Sequence, residues 1–416
     1  MSSIFNKIER SHITFVINSL VAIFFLVLLA IPKGYSYSPM ILGGTSTIYL
    51  IVYLFVFKKK WITDKDDKLI IFSFVFYFLT FLIATIYHGD SFREIDNPSR
   101  ILLFIPLILL FSQFPIKFNW LVHAVPVGAA IAGIVALYQK FYLKTYQVFS
   151  EHMHIQAGDI SVTLAMCSLA IAIYWKTQRK YSFMVLAMVC VVLGITSSAL
   201  TGARGGWVAI PFVLATILVI NYKQLNKKLI SVLILFVVVI SAAVTFIPQT
   251  GVMKRIDAAQ KDITLYMEKN YKSSSLGARF DMWENAWLGI KDKPLLGWGN
   301  KGYQELKKSQ VEAKTMAETT LQFNDSHNQY LDSLVKRGVF GFLGLLFILV
   351  IPFRYFLNSL QSASVEAKCI STLGILNIVA TMSYFLSQTF LAHNSGSIFY
   401  FFLTIILYCS VKQCKQ

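Results

Sequence analysis

Long apolar segments recur along almost the whole chain, and each is close to the length that crosses a bilayer as a helix. About 20 consecutive apolar residues are needed for a crossing, and about twelve segments approach that length. Charged residues make up only 14% of the 416 residues, whereas a soluble protein contains roughly 25%. We therefore predict an all-α, polytopic membrane protein whose single domain covers residues 1–416. The predicted spans are 12–31, 39–57, 69–87, 100–115, 119–138, 159–175, 182–200, 206–221, 229–247, 338–356, 369–390 and 395–411.

The positions of basic residues predict the orientation of these spans. Lys and Arg in short loops mark the cytoplasmic side of a membrane, so topology explains the net charge of +17 better than nucleic acid binding does. If the span count holds, the basic loops share one side with both termini, and that side is cytoplasmic. The residues that define it are Lys7, Arg10, Lys58, Lys59, Lys60, Lys65, Lys68, Lys176, Arg179, Lys180, Lys223, Lys227, Lys228, Lys412 and Lys415.

One long loop, residues 248–326, separates predicted spans nine and ten and falls on the opposite, periplasmic side. Its positive and negative charges nearly balance, and long loops carry little information about topology. A structureless loop of this length would be unusual, so we expect it to fold into helices that form a cap. Within it, the stretch RFDMWENAWLGI (279–290) has four apolar residues at helical spacing. These residues are Phe280, Trp283, Trp287 and Ile290.

His327 lies at the centre of a run of polar residues that leads into an apolar helix, in the stretch NDSHNQYLDSLVKRGVFGFLGLLFILV (324–350). Ser326 followed by Gln329 fits a capping box, so we expect a helix to begin at Ser326 with His327 in its first turn. The positive end of a helix favours a bound phosphate and a neutral imidazole, as a general base requires. Two basic residues precede Gly338 and would be costly in lipid, so the span itself is expected to begin at Gly338. The alternative is that His327 only caps the helix or lies among lipid head groups.

Three arginines on the same side are candidates for binding an anion. Arg204 lies in the tight turn TGARGGW (201–207) between two spans, where glycines allow close approach of the backbone. Arginine offers a planar fork that matches a diphosphate. Arg279 opens the amphipathic loop helix, and Arg100 begins predicted span four. Each has a structural alternative: a head-group contact for Arg204 and Arg100, and an exposed helix charge for Arg279.

Several other kinds of site are disfavoured because their sequence patterns are missing. There is no P-loop, no glycine-rich dinucleotide motif after a strand and no HExxH motif. On the outer side, no close pair of acidic residues near a span offers a site for a divalent metal. We therefore expect neither a cofactor nor a metal. Charges within the spans are scarce, which leaves little material for a proton relay.

In its motifs the chain resembles the O-antigen ligase family, within the larger group of O-antigen ligases, polymerases and related oligosaccharyltransferases. The resemblance covers essentially the full length. It rests on the TGARGGW turn, the segments RFDMWENAWLGIKDKPLLGWGNKGY and SHNQYLDSLVKRGVFG, and the twelve-span pattern with one large outer loop. It implies a GT-C-like glycosyltransferase of the Gram-negative inner membrane that acts on the periplasmic face. Arg204 and Arg279 match the family's functional arginines, His327 matches its functional histidine, and Arg100 matches a further basic position.

The resemblance also implies the substrates. Ligases of this family move a finished O-antigen glycan from undecaprenyl diphosphate to a sugar hydroxyl of lipid A-core. We therefore expect metal-independent, inverting transfer between two lipid-anchored partners, among membrane lipids and without nucleic acid. Two alternatives stay open. An O-antigen polymerase uses the same donor but usually has two sizeable outer loops, whereas this chain has one. A lipid-linked glycan transporter or flippase would need broken helices, inverted repeats or charges near mid-membrane, and none stands out.

Overall fold

A computed structural model describes residues 2–203, 205–222, 252–269, 272 and 274–415, and within these residues the secondary structure is helical, without β-strands. Helices suit such apolar sequences because every backbone polar group in lipid must be satisfied within its own segment. The α-helices are α1 (Ser2–Val27), α2 (Gly34–Ile51), α3 (Lys65–His88), α4 (Asp96–Arg100), α5 (Leu107–Gln113), α6 (Phe118–Leu137), α7 (His154–Thr177), α8 (Tyr181–Leu200), α9 (Ala209–Asn221), α10 (Val252–Lys269), α11 (Ser275–Asp292), α12 (Gly299–Glu312), α13 (Gln329–Ser359), α14 (Val365–Tyr384) and α15 (Asn394–Cys414). Short 3-10 helices cover Phe92–Ile95, Ile101–Phe104, Gly205–Val208, Glu318–Thr320 and Phe390–Ala392, and π-helical turns at Val52–Val56 and Tyr138–Tyr142 end α2 and α6.

Ten helical segments of the described residues are long and apolar enough to cross a membrane. They match ten of the predicted spans, from Arg10–Val27 at the beginning to Asn394–Cys414 at the end. Predicted span eight corresponds to the shorter apolar helix Gly205–Asn221, and predicted span nine (229–247) lies outside the described residues. The chain is thus a multi-pass helical membrane protein, and the total of twelve spans stays a prediction.

Helices α7 and α15 form the centre of the bundle, because 94% of the apolar window of each is buried inside the protein. In a bilayer the hydrophobic effect does not drive helices together, so close packing of small residues takes over that role. Gly128 and Gly133 of α6 provide such packing. A β-carbon at these positions would lie 2.5 Å from the backbone oxygens of Phe25 in α1 and Leu193 in α8, respectively. Larger side chains there would separate α6 from both neighbours.

The segment between α9 and α13 forms, over its described residues, the three helices α10, α11 and α12. The expectation that the long loop contains helices is therefore confirmed for these residues, and α11 is the predicted amphipathic helix. Together α11 and α12 pack on the first turns of α13 through an apolar cluster that includes Ala286, Tyr303 and Val335. Helices α11 and α12 are called the cap below. Through this cluster the cap is attached to α13, the helix that follows His327.

Helix α13 is broken at Gly338, which has φ 61° and ψ −162°, a backbone conformation that glycine adopts and other residues avoid. The break frees backbone groups of α13, and the loop after α11 pairs with them. Trp298 N donates to Val335 O at 2.9 Å, and beyond the break Val339 N donates to Pro294 O at 2.8 Å. The break lies at the residue where the sequence places the start of span ten. Helix α13 therefore has a first part bound to the cap and a second, apolar part.

The loop after α3 is tied to the start of α12. Asp90 accepts hydrogen bonds from the backbone N–H groups of Asn300 at 2.7 Å and Lys301 at 2.9 Å. A carboxylate is favourable there because the first amides of a helix lack intrahelical partners and carry partial positive charge. His88 Nε2 also lies 3.0 Å from Leu296 O. The cap is thus held against the end of α3, at what we call the His327 end of the bundle.

Candidate active site

His327 lies immediately before α13, not inside its first turn. The helix begins at Gln329, and its N-cap is Asn328. The side-chain oxygen of Asn328 accepts from two backbone N–H groups of the first turn, at 3.0 and 3.1 Å. The predicted capping box that began at Ser326 is therefore wrong, because asparagine caps as well as serine does and here stands closer to the free amides. Ser326 instead donates its hydroxyl to Asn328 O at 3.1 Å.

The backbone of His327 is left-handed, with φ 51°. This conformation costs a residue with a side chain about 1–2 kcal/mol, although histidine adopts it more often than most residues. It persists only where neighbouring contacts hold it. Asp325 supplies one such contact, because its Oδ1 accepts from the backbone N–H of His327 at 2.9 Å.

The same carboxylate oxygen of Asp325 lies 3.1 Å from Nδ1 of His327, and the two side chains are 20% and 25% exposed, so both remain open to a substrate. When Nδ1 donates its proton to Asp325, Nε2 keeps the lone pair that a general base needs. Burial disfavours the charged carboxylate, but the hydrogen bonds from His327, the charge of its ring when protonated and the charge of Lys336 outweigh burial and lower the pKa of Asp325 well below its ordinary value. Asp325 is therefore an anion at neutral pH and orients the imidazole.

Two lysines lie close to the His327 segment. Lys307 of α12 is fully buried, and its ammonium group donates to Phe323 O. The Phe323 ring in turn contacts the His327 ring edge-on, with the ring centres 4.9 Å apart. Burial, followed by the positive charge of Lys336, lowers the pKa of Lys307 to about 8. Lys336 itself pairs with Asp332 at 3.0 Å. The two lysines are thus balanced by Asp325 and Asp332, so the charges next to the imidazole are mixed rather than of one sign.

Arg279 lies on α11, one helical turn before Trp283. Trp283 Nε1 donates to Ser326 O at 3.0 Å, so α11 contacts the residue that directly precedes His327. Four residues of α-helix rise about 6 Å. Arg279 therefore lies about 6 Å along the axis of α11 from Trp283, the residue that contacts Ser326. The side chain of Arg279 is partly buried.

Arg204 lies outside the described residues, but both of its neighbours in the TGARGGW turn are described. Gly205 approaches the stretch between α14 and α15 closely, since a β-carbon there would lie 2.9 Å from Ser387 Oγ. The same stretch contacts the start of α13, because Gln329 N donates to Phe385 O at 2.9 Å. The turn next to Arg204 and the segment next to His327 thus pack on one common stretch of chain.

Arg100, the last residue of α4, forms an ion pair of 2.5 Å with Asp96 in the same helix. Asn97 of α4 donates to Leu391 O at 2.8 Å. Leu391 N donates in turn to Gln329 Oε1 at 2.9 Å. Helix α4 therefore reaches the His327 end of the bundle, while Asp96 partly neutralises the charge of Arg100.

Sequence reasoning overlooked three residues at this end. Asp325 stands two positions before His327, a spacing at which aspartate often bonds the following backbone amide, so a local signal for it existed. Lys307 and His393 come from distant parts of the chain, and no local pattern marks them. Burial lowers the pKa of His393, the charge of Asp325 raises it by a smaller amount, and the charge of His327 lowers it again. In the part of the chain described, no three His, Cys, Asp or Glu residues cluster as metal ligands would.

The fold and these contacts define a multi-pass helical membrane protein in which a cap brings basic residues and a histidine–aspartate pair to one end of the bundle. A sequence model of the O-antigen ligase family matches residues 189–346, from α8 through the cap to α13. A Haemophilus influenzae protein described as uncharacterized is 49% identical over 394 residues, which are 95% of this chain and 98% of that protein. The chain belongs to the O-antigen ligase family. The matched region contains Arg204, Arg279 and His327, whereas Arg100 precedes it.

Proposed function

We propose that this protein is an O-antigen ligase that transfers a glycan from undecaprenyl diphosphate to a hydroxyl of lipid A-core, on the periplasmic face of the Gram-negative inner membrane. Membership of the family supports the reaction class and lipid-linked glycans as substrates. The contact of 3.1 Å between Asp325 and His327 carries the mechanistic part, because a carboxylate at Nδ1 orients the imidazole and leaves Nε2 available as a base. Lipid-anchored donor and acceptor would both approach from the surrounding bilayer.

In the proposed reaction, the acceptor hydroxyl attacks the anomeric carbon of the donor sugar. The bond from that carbon to the diphosphate oxygen breaks, and undecaprenyl diphosphate leaves with the bonding electrons. The hydroxyl proton moves to Nε2 of His327, while Asp325 stabilises the imidazolium that forms. A single displacement of this kind inverts the anomeric configuration. The diphosphate is already an activated leaving group, so the proposal needs neither a nucleotide nor a metal.

Negative charge develops on the diphosphate as the bond breaks, and we assign its stabilisation to arginines. Arg279 is favoured by the contact of its helix with Ser326, next to His327. Arg204 is favoured by its turn, which packs on the stretch that also contacts the start of α13. Arg100 is proposed as a substrate-binding residue of smaller effect, since a carboxylate shares its charge.

The proposal is tested by a ligation assay with purified protein, an undecaprenyl diphosphate-linked glycan and lipid A-core, with products separated on a lipopolysaccharide gel. Wild type should form the ligated product, and a chelator should not reduce the rate. A strict requirement for a divalent ion would contradict the metal-independent mechanism. Product formation in detergent, without two membrane compartments, would also exclude a flippase as the sole activity.

A gene deletion separates the ligase from the polymerase alternative. The loss of all O-antigen from lipid A, with polymer accumulating on undecaprenyl diphosphate, is the result expected for a ligase. Lipid A that still carries a single glycan unit would identify a polymerase instead. The presence of only one long loop in the predicted topology, residues 248–326, favours the ligase.

A further inference from the structure

A cavity of about 380 Å³ lies at the end of the bundle opposite His327, where α3 begins and where α13 and α15 end. Helix α3 has 24 residues and therefore rises about 36 Å between this cavity and the His327 end. The cavity is thus distinct from the candidate active site. Its wall includes Lys65, Leu69, Val350, Arg354, Asn358 and Lys415.

Three cations of the wall lack an ion-pair partner among the described residues. Lys65, Arg354 and Lys415 are exposed, and none of them forms a salt bridge within the described part of the chain. Lys415 Nζ lies over the Tyr355 ring, 4.8 Å from its centre, so its charge stays at the cavity. Asp66 is the one carboxylate that the described wall contains. The cavity wall therefore has more positive than negative charges, which favours the binding of an anionic ligand.

The other acidic side chains nearby are already used by a different lysine. Asp64 and Asp67 each pair with Lys412 at 2.7 Å, and Tyr408 donates its hydroxyl to Asp67 at 2.6 Å. The two aspartates also cap the start of α3 by a reciprocal pair of hydrogen bonds. The four cations Lys65, Arg354, Lys412 and Lys415 therefore still exceed the three carboxylates Asp64, Asp66 and Asp67 by one positive charge at this end.

An exposed apolar strip continues from the cavity between α3 and α13. Leu69 and Val350 belong to the cavity wall and are 40% and 55% exposed. Phe72, on the same face of α3, is 47% exposed, and its ring centre lies 5.6 Å from that of Phe347 in α13. A bilayer-facing strip of this kind suits a hydrocarbon chain that enters beside the basic residues.

We propose that this cavity binds an anionic phospholipid. The lipid phosphate lies among Lys65, Arg354 and Lys415, and an acyl chain covers Leu69 and Val350. Basic pockets between transmembrane helices bind acidic lipid head groups on the cytoplasmic side, which is the side that the basic loops predict for this end. A soluble phosphate would use the cations but not the apolar strip, so a lipid is the favoured ligand. The site is independent of the glycosyl transfer proposed above.

Lipid binding to the detergent-purified full-length protein tests this site, with native mass spectrometry as the readout. Phosphatidylglycerol should bind, and phosphatidylcholine, which lacks a net charge, should bind much more weakly. Each basic contact near a lipid phosphate is worth about fivefold in affinity, so the triple variant Lys65→Gln, Arg354→Gln and Lys415→Gln should bind phosphatidylglycerol about 100-fold more weakly. Unchanged binding by that variant would overturn the proposal.

A matched control removes the same number of charges elsewhere. Lys58, Lys59 and Lys60 are exposed just before α3 and do not line the cavity, so their triple change to Gln should leave binding unaltered. A second variant, Val350→Trp, keeps every charge, fills the apolar wall and should also weaken binding. An equal loss in the control, or displacement of the lipid by excess soluble glycerol phosphate, would overturn a lipid site at these residues.

Discussion

The substitution Asp325→Asn tests the orienting carboxylate with almost no change of side-chain volume. It keeps an oxygen that can accept from the backbone N–H of His327, but it removes the negative charge 3.1 Å from Nδ1. The amide can also turn its NH₂ group towards Nδ1, and this would favour the tautomer that carries its proton on Nε2. That tautomer cannot accept the proton of a hydroxyl at Nε2. We therefore expect slower glycosyl transfer by a folded protein.

The size of the effect follows from the lost interaction. A hydrogen bond to a charged group contributes about 1.5–3 kcal/mol, which corresponds to about 10- to 150-fold in rate. Because Asp325 acts through His327, its loss should matter little once the imidazole is gone. The double variant of Asp325→Asn with His327→Ala should therefore be no slower than His327→Ala alone.

The assay is single-turnover ligation at saturating donor concentration, which isolates the chemical step from substrate binding. Glu318→Gln is the matched control, because Glu318 is an exposed acidic residue of the same segment, and it should keep the wild-type rate. A wild-type rate for Asp325→Asn would refute the orienting role. A double variant that is slower by the product of the two single effects would show that Asp325 acts independently of His327.

The same residue predicts a pH dependence of stability. Folding lowers the pKa of Asp325, so its stabilising contribution is complete above the ordinary carboxyl pKa of about 4 and is lost as the pH falls through the lower folded value. The difference in Tm between wild type and Asp325→Asn should be largest at neutral pH and should shrink below about pH 4. A difference that stays constant into that range would contradict the coupling.

Three further substitutions test the geometry and the charges. Glycine is unstrained at φ 51° and alanine is not, so the free energy of unfolding of His327→Gly should exceed that of His327→Ala by about 1 kcal/mol. Thermal unfolding in detergent measures this difference, and equal values for the two variants would argue against strain. A β-carbon at Gly338 would overlap a carbonyl group of the loop after α11, whereas Gly44 has open space around it. Gly338→Ala should therefore lower the Tm and the ligation rate, and Gly44→Ala should lower neither. Arg279→Lys replaces the planar guanidinium group, which can form two parallel hydrogen bonds, with a single ammonium group. Because one charged hydrogen bond is lost, ligation should become at least about tenfold slower. The exposed control Arg93→Lys should keep the full rate, and equal rates for the two would refute a bidentate role.

Much of the membrane domain could be predicted because length and apolar character alone decide whether a segment crosses a bilayer. The cost in lipid of the two charges before Gly338 predicts that span ten begins at this residue, and α13 is broken there, which the sequence did not predict. The structure shows how the protein lowers that cost. Lys336 pairs with Asp332 at 3.0 Å, and the buried Arg337 lies over the Phe81 ring, 3.8 Å from its centre.

The start of α13 could not be predicted, because two neighbouring residues are both good N-caps and tertiary contacts decide between them. The indole N–H of Trp283 donates to the carbonyl of Ser326, and the backbone N–H of Ser326 donates to Asp332 at 3.3 Å. These two hydrogen bonds hold Ser326 outside the helix. Lys307 and His393 were missed for a comparable reason. Their approach to the His327 segment depends on how the cap and the last two helices fold back, and no sequence period encodes that.

The ligation assay run on wild type and His327→Ala side by side tests the central claim most directly. Loss of a general base typically slows a reaction about 10²- to 10⁴-fold. We expect such a loss for His327→Ala in a protein that still inserts into the membrane and still binds the lipid-linked donor. Equal rates for the two purified proteins would show that the imidazole is not the base, and the proposed mechanism would be wrong.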